Sequence, residues 1–596
     1  MPRKATRRHS VRISDGLWDR LEALHHSNPA HCDSPSSFVV RAAQARLLEI
    51  LQIENGAAEP ERQNRQELLS TGATVNPSSA VSQDFSALLD AIGNAGSTGI
   101  TAKQLATVTG FPQELVAQRL GSLSKDRNIS KFGRGLWVLP EHADPRSLGS
   151  DEHEAQWYTS RFESEFALKV GRYSGDIQFG PNERLPVHRW WPYVQGFSAD
   201  FVRLVCEKYG VQDGWTVLDP FCGSGTVPVV ARSLGAKAIG VDMMPIVAFV
   251  SESKCEWEAD PAELEKLAQG VLGERSRTGL APPFLRETVN QFQPEVLESL
   301  LTLKQSIQNV KDGPAQKLLR LAFSSILVDA SNLKRAPCLG YAKKTSRDRE
   351  TPFRLFAQSV ARIVEDLRKL DESRSTWGPP AEIIAGSSGV VRFEPGSVDL
   401  AITSPPYVNG MDYPTNYKIE LAWMDFIDSY EHLAALRAEM VACDNIPRQK
   451  ALEHFPLPLV RDDAWITSVT GSIDRNIRTK GAYRRTDMPF IVRKYFDDLV
   501  PVIKNVYMAL KPGGRFVVVN GDSLIAGTYV PGDMIFARLA AGLGFRVEGF
   551  DIARIRRSGQ RRTYELRETV LTLKKPGNGG RASTEMISYP VAGPAP

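Results

Sequence analysis

Apolar residues recur along this chain with two spacings, and each change of spacing marks a boundary. Near the N-terminus, Leu17, Leu21 and Leu24, then Phe38, Ala42, Ala45 and Leu48, step by three or four residues and predict two helices. Ser34 and Pro35 supply an N-cap and a first-turn proline for the second of them. Ahead of both, Ser10-Val11-Arg12-Ile13-Ser14 alternates polar and apolar and predicts a strand with Val11 and Ile13 inward. Residues 53–83 are rich in Glu, Gln, Asn, Ser and Gly, show no period and read as a linker. Periodicity returns over 84–140. Phe85, Leu88, Leu89 and Ile92 mark one helix, Thr101 caps a second over 102–108, and a third is expected over 114–123. Residues 129–138 then read as a tight hairpin.

The larger C-terminal part mixes both spacings. Residues 141–175 read as a connection, followed by a helix over 198–209. An apolar strand ending at Asp219, a glycine-rich turn, a helix over 227–234 and a strand over 238–242 form a β-turn-α-β unit. From 256 to 380 the pattern is helical, with Leu297, Leu300 and Leu301, then Leu318, Leu319, Ala322, Ile326 and Val328. Strands resume over 381–387 and 398–401, the latter followed by Ile402-Thr403-Ser404-Pro405-Pro406-Tyr407. A helix is expected within 409–425, while 443–489, with Pro447, Pro456 and Pro458, reads as irregular. A helix over 492–510, a turn at Lys511-Pro512-Gly513-Gly514, a strand over 515–520 and two final strands near 545–555 and 563–573 complete an α/β pattern. The tail over 576–596 is rich in Gly, Pro and Ser and reads as disordered.

Composition narrows the class. At 596 residues the chain holds several domains, and its 42% hydrophobic and 24% charged residues are those of a globular protein. A formal net charge of +4 permits nucleic-acid binding without demanding it. The six cysteines form no CxxC pair, which argues against a zinc site or a disulfide framework and suits a reducing cytoplasm; no metal is expected. No apolar run is long enough to span a bilayer, and the basic N-terminus lacks the apolar core of a secretory signal. No membrane role is expected.

Two stretches carry chemistry. In Asp219-Pro220-Phe221-Cys222-Gly223-Ser224-Gly225-Thr226, glycines after a strand let a ligand approach the backbone, and Asp242, closing the next strand, can hold two ribose hydroxyls. In Ser404-Pro405-Pro406-Tyr407 the prolines fix φ and remove N–H donors, leaving carbonyls free to accept. The serine adds a hydroxyl and the tyrosine a flat face, a set suited to gripping the exocyclic amine of a planar base.

Together these stretches resemble the amino-methyltransferases, which move a methyl from S-adenosylmethionine to the N4 of cytosine or the N6 of adenine in DNA. The resemblance covers roughly residues 175–255 and 381–575. It implies a Rossmann-like class I sheet over 141–255 and 381–575, interrupted by a helical insertion over 256–380 that serves target recognition. It places Phe221, Gly223 and Gly225 around the cofactor, Asp219 near its methionine amine and Asp242 on its ribose. Ser404 and the Pro405 carbonyl would hold the target amine, Pro406 would stiffen the corner and Tyr407 would stack the base. The family usually carries an acid near Ser387, and this chain does not. Serine preceded by Thr403 is more similar to the cytosine-N4 enzymes, with adenine-N6 as the alternative. A C5 route would need a nucleophilic cysteine; Cys338 follows a proline but lies off any predicted strand end.

The N-terminal modules resemble two DNA-binding folds. Residues 1–52 are similar to a ribbon-helix-helix, which implies a homodimer with Arg12 facing bases. Residues 84–140 resemble a winged helix-turn-helix, in which Arg119, Lys125, Arg127, Lys131 and Arg134 would meet DNA. Lys334 and Arg335 in the insertion, a second basic stretch over 475–485, and Arg556 and Arg557 near the last turn are further candidate DNA contacts. The expected substrate is double-stranded DNA, with any restriction or defence partner on a separate chain. The competing readings are an RNA amino-methyltransferase and a DNA-binding regulator with an inactive methylase fold.

Overall fold

The computed structural model describes residues 77–95, 100–125, 129–132, 136–138, 151–193, 196–335, 338–342, 347–372, 374–443, 446–480, 485–557 and 565–577. The chain divides into two units, Met1–Asp90 and Ala91–Pro596. The expected ribbon-helix-helix, Arg12 with it, and the tail beyond 577 lie outside the described residues. The first described helix, Pro77–Ala95, starts inside the stretch read as linker. After it come the helices Ala102–Thr109 and Gln113–Lys125, and a three-stranded sheet of Ile100–Thr101, Leu136–Val138 and Ser130–Phe132. Thr101 closes a capping box with Gln104, as its position ahead of an apolar run predicts.

An eight-stranded sheet organises the rest. We label its strands β1 (Gly171–Arg172), β2 (Thr216–Asp219), β3 (Lys237–Asp242), β4 (Glu382–Ala385), β5 (Val398–Thr403), β6 (Leu510–Gly521), β7 (Arg546–Arg557) and β8 (Glu565–Lys574). Their order across the sheet is β1-β7-β8-β6-β5-β2-β3-β4. β8 pairs antiparallel with both β6 and β7, and the other pairings are parallel. This is the open, mostly parallel α/β sheet expected from the sequence. The strand order reverses at β2, which lies between β5 and β3, and such a switch point leaves a crevice beyond the carboxyl ends of the strands.

Side chains alternate across the sheet and feed two cores. Val217, Leu400, Ile402, Val517 and Val519 meet the helices Ala199–Tyr209 and Thr226–Ser233 on one face. Leu218, Ala401, Phe516, Val518 and Leu571 meet Met488–Ala509 and Gly532–Gly542 on the other. Both faces are covered, so the strands read as continuous apolar runs.

The stretch 256–380 is helical as expected, with Pro261–Gly273, Pro294–Gln308, Pro314–Ala330 and Thr351–Asp371. It is not a free-standing insertion. Its core also takes in Val187, Trp190 and Trp191 from between β1 and β2 and Tyr417, Leu421 and Trp423 from after β5. Three local expectations are corrected. Residues 333–341, inside the stretch read as helical, pair as a hairpin of Leu333–Arg335 with Leu339–Tyr341. The connection 141–175 contains the helix Asp151–Phe166, whose Tyr158 and Phe162 join the sheet's core. Residues 443–489 hold the helix Ala464–Lys480, which buries Ile466, Val469 and Ile473.

Candidate active site

The glycine-rich turn sits at the carboxyl end of β2. Gly223 and Gly225 take positive φ of 48° and 85°, a conformation that side chains resist. A Cβ on Gly225 would also lie 2.9 Å from the Ser251 Cα, and one on Gly223 would lie 2.9 Å from the Tyr193 hydroxyl. The turn is therefore closed by backbone on one side and by an aromatic side chain on the other. Asp242, at the end of β3, accepts the Gly223 N–H at 3.0 Å and the Met244 N–H at 2.9 Å. Asp219 is buried and accepts the Thr403 hydroxyl at 2.6 Å and the Phe221 N–H at 3.0 Å. Burial pushes the Asp219 carboxyl up to about 7 and the Asp242 carboxyl up to about 6, against the hydrogen bonds that favour their charged forms. A cation placed beside them would reverse that shift.

Parallel pairing of β5 with β2 sets Leu400 opposite Val217 and Ala401 opposite Leu218, which carries the Ser404 corner to the edge of the glycine turn. The Thr403–Asp219 hydrogen bond ties the two motifs directly. Ser404 and the Tyr407 hydroxyl share a hydrogen bond, and the Tyr407 ring lies against Gly521, where an added Cβ would fall 3.1 Å from Cε2. Burial holds the Tyr407 phenol well above its ordinary range, so it stays protonated.

Two cavities meet at this corner. One, of about 530 Å³, is lined by Asp219, Phe221, Gly223, Asp242, Met243 and Ser387, and its volume suits a nucleotide-sized ligand. The other, of about 1040 Å³, runs past Pro405, Tyr407 and Asn409 toward Lys334, Arg554 and Arg556. Ser404, Tyr193 and Tyr413 line both. Asp219, Phe221, Gly223, Asp242, Ser404 and Pro406 thus converge on one cavity and Pro405 and Tyr407 on its neighbour, while Gly225 caps the adjoining helix. Tyr193 and Tyr413 were not singled out from sequence; the aromatic run ending at Tyr193 was the available signal. Tyr193 stacks on Tyr417, and Tyr417 on Trp191, at 6.0 and 5.5 Å.

The expected DNA contacts divide. Lys334 and Arg557 are exposed. Arg335 is turned inward, 6% exposed; it donates to Glu420 at 2.7 Å and to the Asn416 carbonyl at 2.9 Å, and lies over the Tyr417 ring. A guanidinium so engaged holds the hairpin on its core, while Arg335 also lines the larger cavity beside Lys334. Arg556 is intermediate: it donates to the Asp522 carbonyl at 3.0 Å and its Nε lies 3.3 Å from Glu568, while still lining the larger cavity. Arg478 pairs with Asp474 and Arg485 with Asp487. Cys338 is exposed near the bend of the 333–341 hairpin, away from both cavities' linings. Among the described residues no helix is long and apolar enough to cross a membrane.

Known proteins resemble parts of this chain. A family model described as DNA methylase, of the N6/N4 methyltransferases, matches residues 200–248, the span holding the glycine turn and Asp242. The type II methyltransferase M.BsoBI of Geobacillus stearothermophilus is 25% identical over 417 residues, 62% of this chain and 81% of the relative. The type II methyltransferase M.AvaI of Anabaena variabilis is 23% identical over 433 residues, 65% of this chain and 85% of the relative. Among solved structures, a geranyl diphosphate methyltransferase in complex with GPP and sinefungin aligns at a TM-score of 0.25 and 9% identity, covering 71% of this chain and 99% of that one. The strand order described above, not that alignment, carries the fold.

Proposed function

We propose that this chain, a DNA amino-methyltransferase of the N4/N6 family, methylates the N4 amine of cytosine in double-stranded DNA, with S-adenosylmethionine as donor. The observation that carries the reading is the place of Ser404, on the border of both cavities and one strand away from Asp219 and the glycine turn. The choice of cytosine is supported by serine at the head of the tetrapeptide with Thr403 before it. The residues of the smaller cavity fit the cofactor. Its glycine turn admits a ligand to the backbone, Asp242 is placed for ribose hydroxyls, and Asp219 is a buried carboxyl awaiting a cation. S-adenosylmethionine, when bound, supplies a methyl on a positively charged sulfur, open to direct displacement.

The chain's own groups then act on the amine. An exocyclic amine is a weak nucleophile because its lone pair is delocalised into the ring. Ser404 Oγ and the Pro405 carbonyl accept from its N–H groups and return density to nitrogen. Tyr407 stacks the base once it has left the duplex, an extrusion costing a few kcal/mol that stacking and edge contacts offset. Holding the nitrogen at the border of the two cavities removes the entropy of encounter. The N-terminal modules and the exposed Lys334 and Arg557 would add phosphate contacts, and the 1–52 module a homodimer. By likeness to the type II relatives, the enzyme would act in modification, its restriction or defence partner on another chain.

The test is to incubate the protein with labelled S-adenosylmethionine and duplex DNA, digest to nucleosides and identify the product by mass spectrometry. N4-methylcytosine is expected. N6-methyladenine would overturn the base assignment while keeping the site, and methylation of RNA but not DNA would overturn the substrate.

The raised carboxyls give a second expectation. Their folded pKa values of about 7 and about 6 lie above the ordinary aspartate value of 3.8, so the folded protein keeps protons that the unfolded chain has released. Their contribution to stability therefore falls as pH rises from about 4 to about 7, the cost of burying charge. A cationic ligand offsets that cost only where the carboxyls are ionised. The rise in Tm on adding S-adenosylmethionine should be larger near pH ~7.5 than near pH ~5. Equal shifts in a thermal melt would remove Asp219 as the partner of a cationic group on the cofactor.

A further inference from the structure

The Pro-Pro corner is fixed from below by groups that touch neither cavity. Tyr495, on the helix Met488–Ala509, is 1% exposed, and its hydroxyl donates to the Pro406 carbonyl at 2.9 Å. The same hydroxyl hydrogen-bonds the side chain of Asn520, a fully buried residue at the carboxyl end of β6. Asn520 is held in turn: its Oδ1 accepts the Gly521 N–H at 2.8 Å. Gly521 is the residue against which the Tyr407 ring rests. Neither Tyr495 nor Asn520 lines either cavity.

A proline pair supplies two carbonyls and no N–H, so it donates no backbone hydrogen bond by which to fix which carbonyl faces the substrate. A buried donor on one of them decides the matter. We propose that Tyr495 is a positioning residue: by holding the Pro406 carbonyl toward the helix, with Asn520 behind it, it leaves Ser404 Oγ and the Pro405 carbonyl as the acceptors presented to the target amine. The inference rests on the amine-transfer reading given above. Aromatic packing keeps the ring in place without its hydroxyl, since Tyr495 meets Phe496 edge-on at 5.0 Å. Removal of the hydroxyl alone therefore frees the Pro406 carbonyl while preserving the core.

The experiment compares Tyr495→Phe with Tyr529→Phe. Tyr529 is another fully buried tyrosine, but its hydroxyl donates to Asp522, not to the corner. Single-turnover methyl transfer, affinities for S-adenosylmethionine and for duplex DNA, and Tm are measured for both variants and the parent chain. Tyr495→Phe should lower the transfer rate ~10- to 100-fold, the range a small misplacement of reacting groups produces, with both affinities unchanged. Tyr529→Phe should lower Tm and leave the rate near that of the parent. An unchanged rate in Tyr495→Phe would overturn the proposal. So would a fall in rate matched by an equal loss of cofactor affinity, or equal rate losses in the two variants, since either would make Tyr495 merely structural. If the parent chain itself moves no methyl to DNA, the underlying reading fails first, and the two failures are told apart.

Discussion

Ser404→Ala is expected to lower the rate of methyl transfer at saturating cofactor by ~10²-fold, with the affinity for S-adenosylmethionine changed little; removal of one aligned polar group from a transition-state site costs that much. The argument starts from the amine. In the free base its lone pair is shared with the ring, and it gains basicity only as its N–H groups find acceptors. Ser404 Oγ is one such acceptor at the border of the two cavities, and the Pro406 carbonyl, already bonded to Tyr495, does not compete for that role. Alanine also strands the Tyr407 hydroxyl that shares a bond with Ser404, so the stacking face loses one of its restraints. The cofactor's expected partners, Asp219, Asp242 and the glycine turn, are untouched. A fall in transfer rate without a change in cofactor affinity is the pattern of an interaction made only as the reaction proceeds. Rapid-quench single turnovers beside equilibrium cofactor binding would measure both. A variant with the parent's rate would take Ser404 out of the chemistry and leave the Pro405 carbonyl as acceptor.

The candidate site stands out in the sequence because its two motifs are local and rest on backbone geometry. Glycines at positive φ and a proline pair at a strand end leave a mark in a few consecutive letters. The sheet was legible for a similar reason: strands buried on both faces are unbroken apolar runs. What escaped depended on distant partners. Arg335 sits in a basic run that reads as a solvated, phosphate-binding face, and nothing nearby announces Glu420, 85 residues on, as its buried partner. Tyr495 is one more aromatic on an apolar helix until the Pro406 carbonyl is placed above it. The helix Ala464–Lys480 did carry a signal in Ile466, Val469, Ile473 and Ile477, but the prolines before it and the arginines along it outweighed that period. The helix Asp151–Phe166 likewise carried a stripe in Ala155, Tyr158, Phe162 and Phe166, but the charges among them outweighed it.

Asp366→Ala should cost ~3–5 kcal/mol, the largest stability loss expected of any single substitution considered, because it removes the shared partner of several buried donors. Asp366 lies on the helix Thr351–Asp371 and has no exposed surface. Its Oδ2 accepts the Val187 N–H at 3.0 Å, Arg189 Nε at 3.1 Å and Trp190 Nε1 at 2.9 Å, while Oδ1 accepts Arg189 Nη2 at 2.7 Å. Val187 is a β-branched residue at φ 66°, a backbone state that persists only where its surroundings hold it. Alanine would leave the Trp190 indole and the Val187 amide buried without an acceptor, and Arg189 with only Glu365, half-exposed, in its place. Asp366→Asn keeps the shape but turns an amide toward four donors, so its cost should fall between the parent and alanine. The damage should also travel. Residues 187–190 lead to Trp191 and Tyr193, and the Tyr193 hydroxyl closes the glycine turn. Chemical denaturation followed by tryptophan fluorescence, with cofactor affinity measured on the same variants, checks both claims. A loss below ~1 kcal/mol would mean that water replaces the carboxylate at little cost, and unchanged cofactor affinity would separate this buried hub from the site it adjoins.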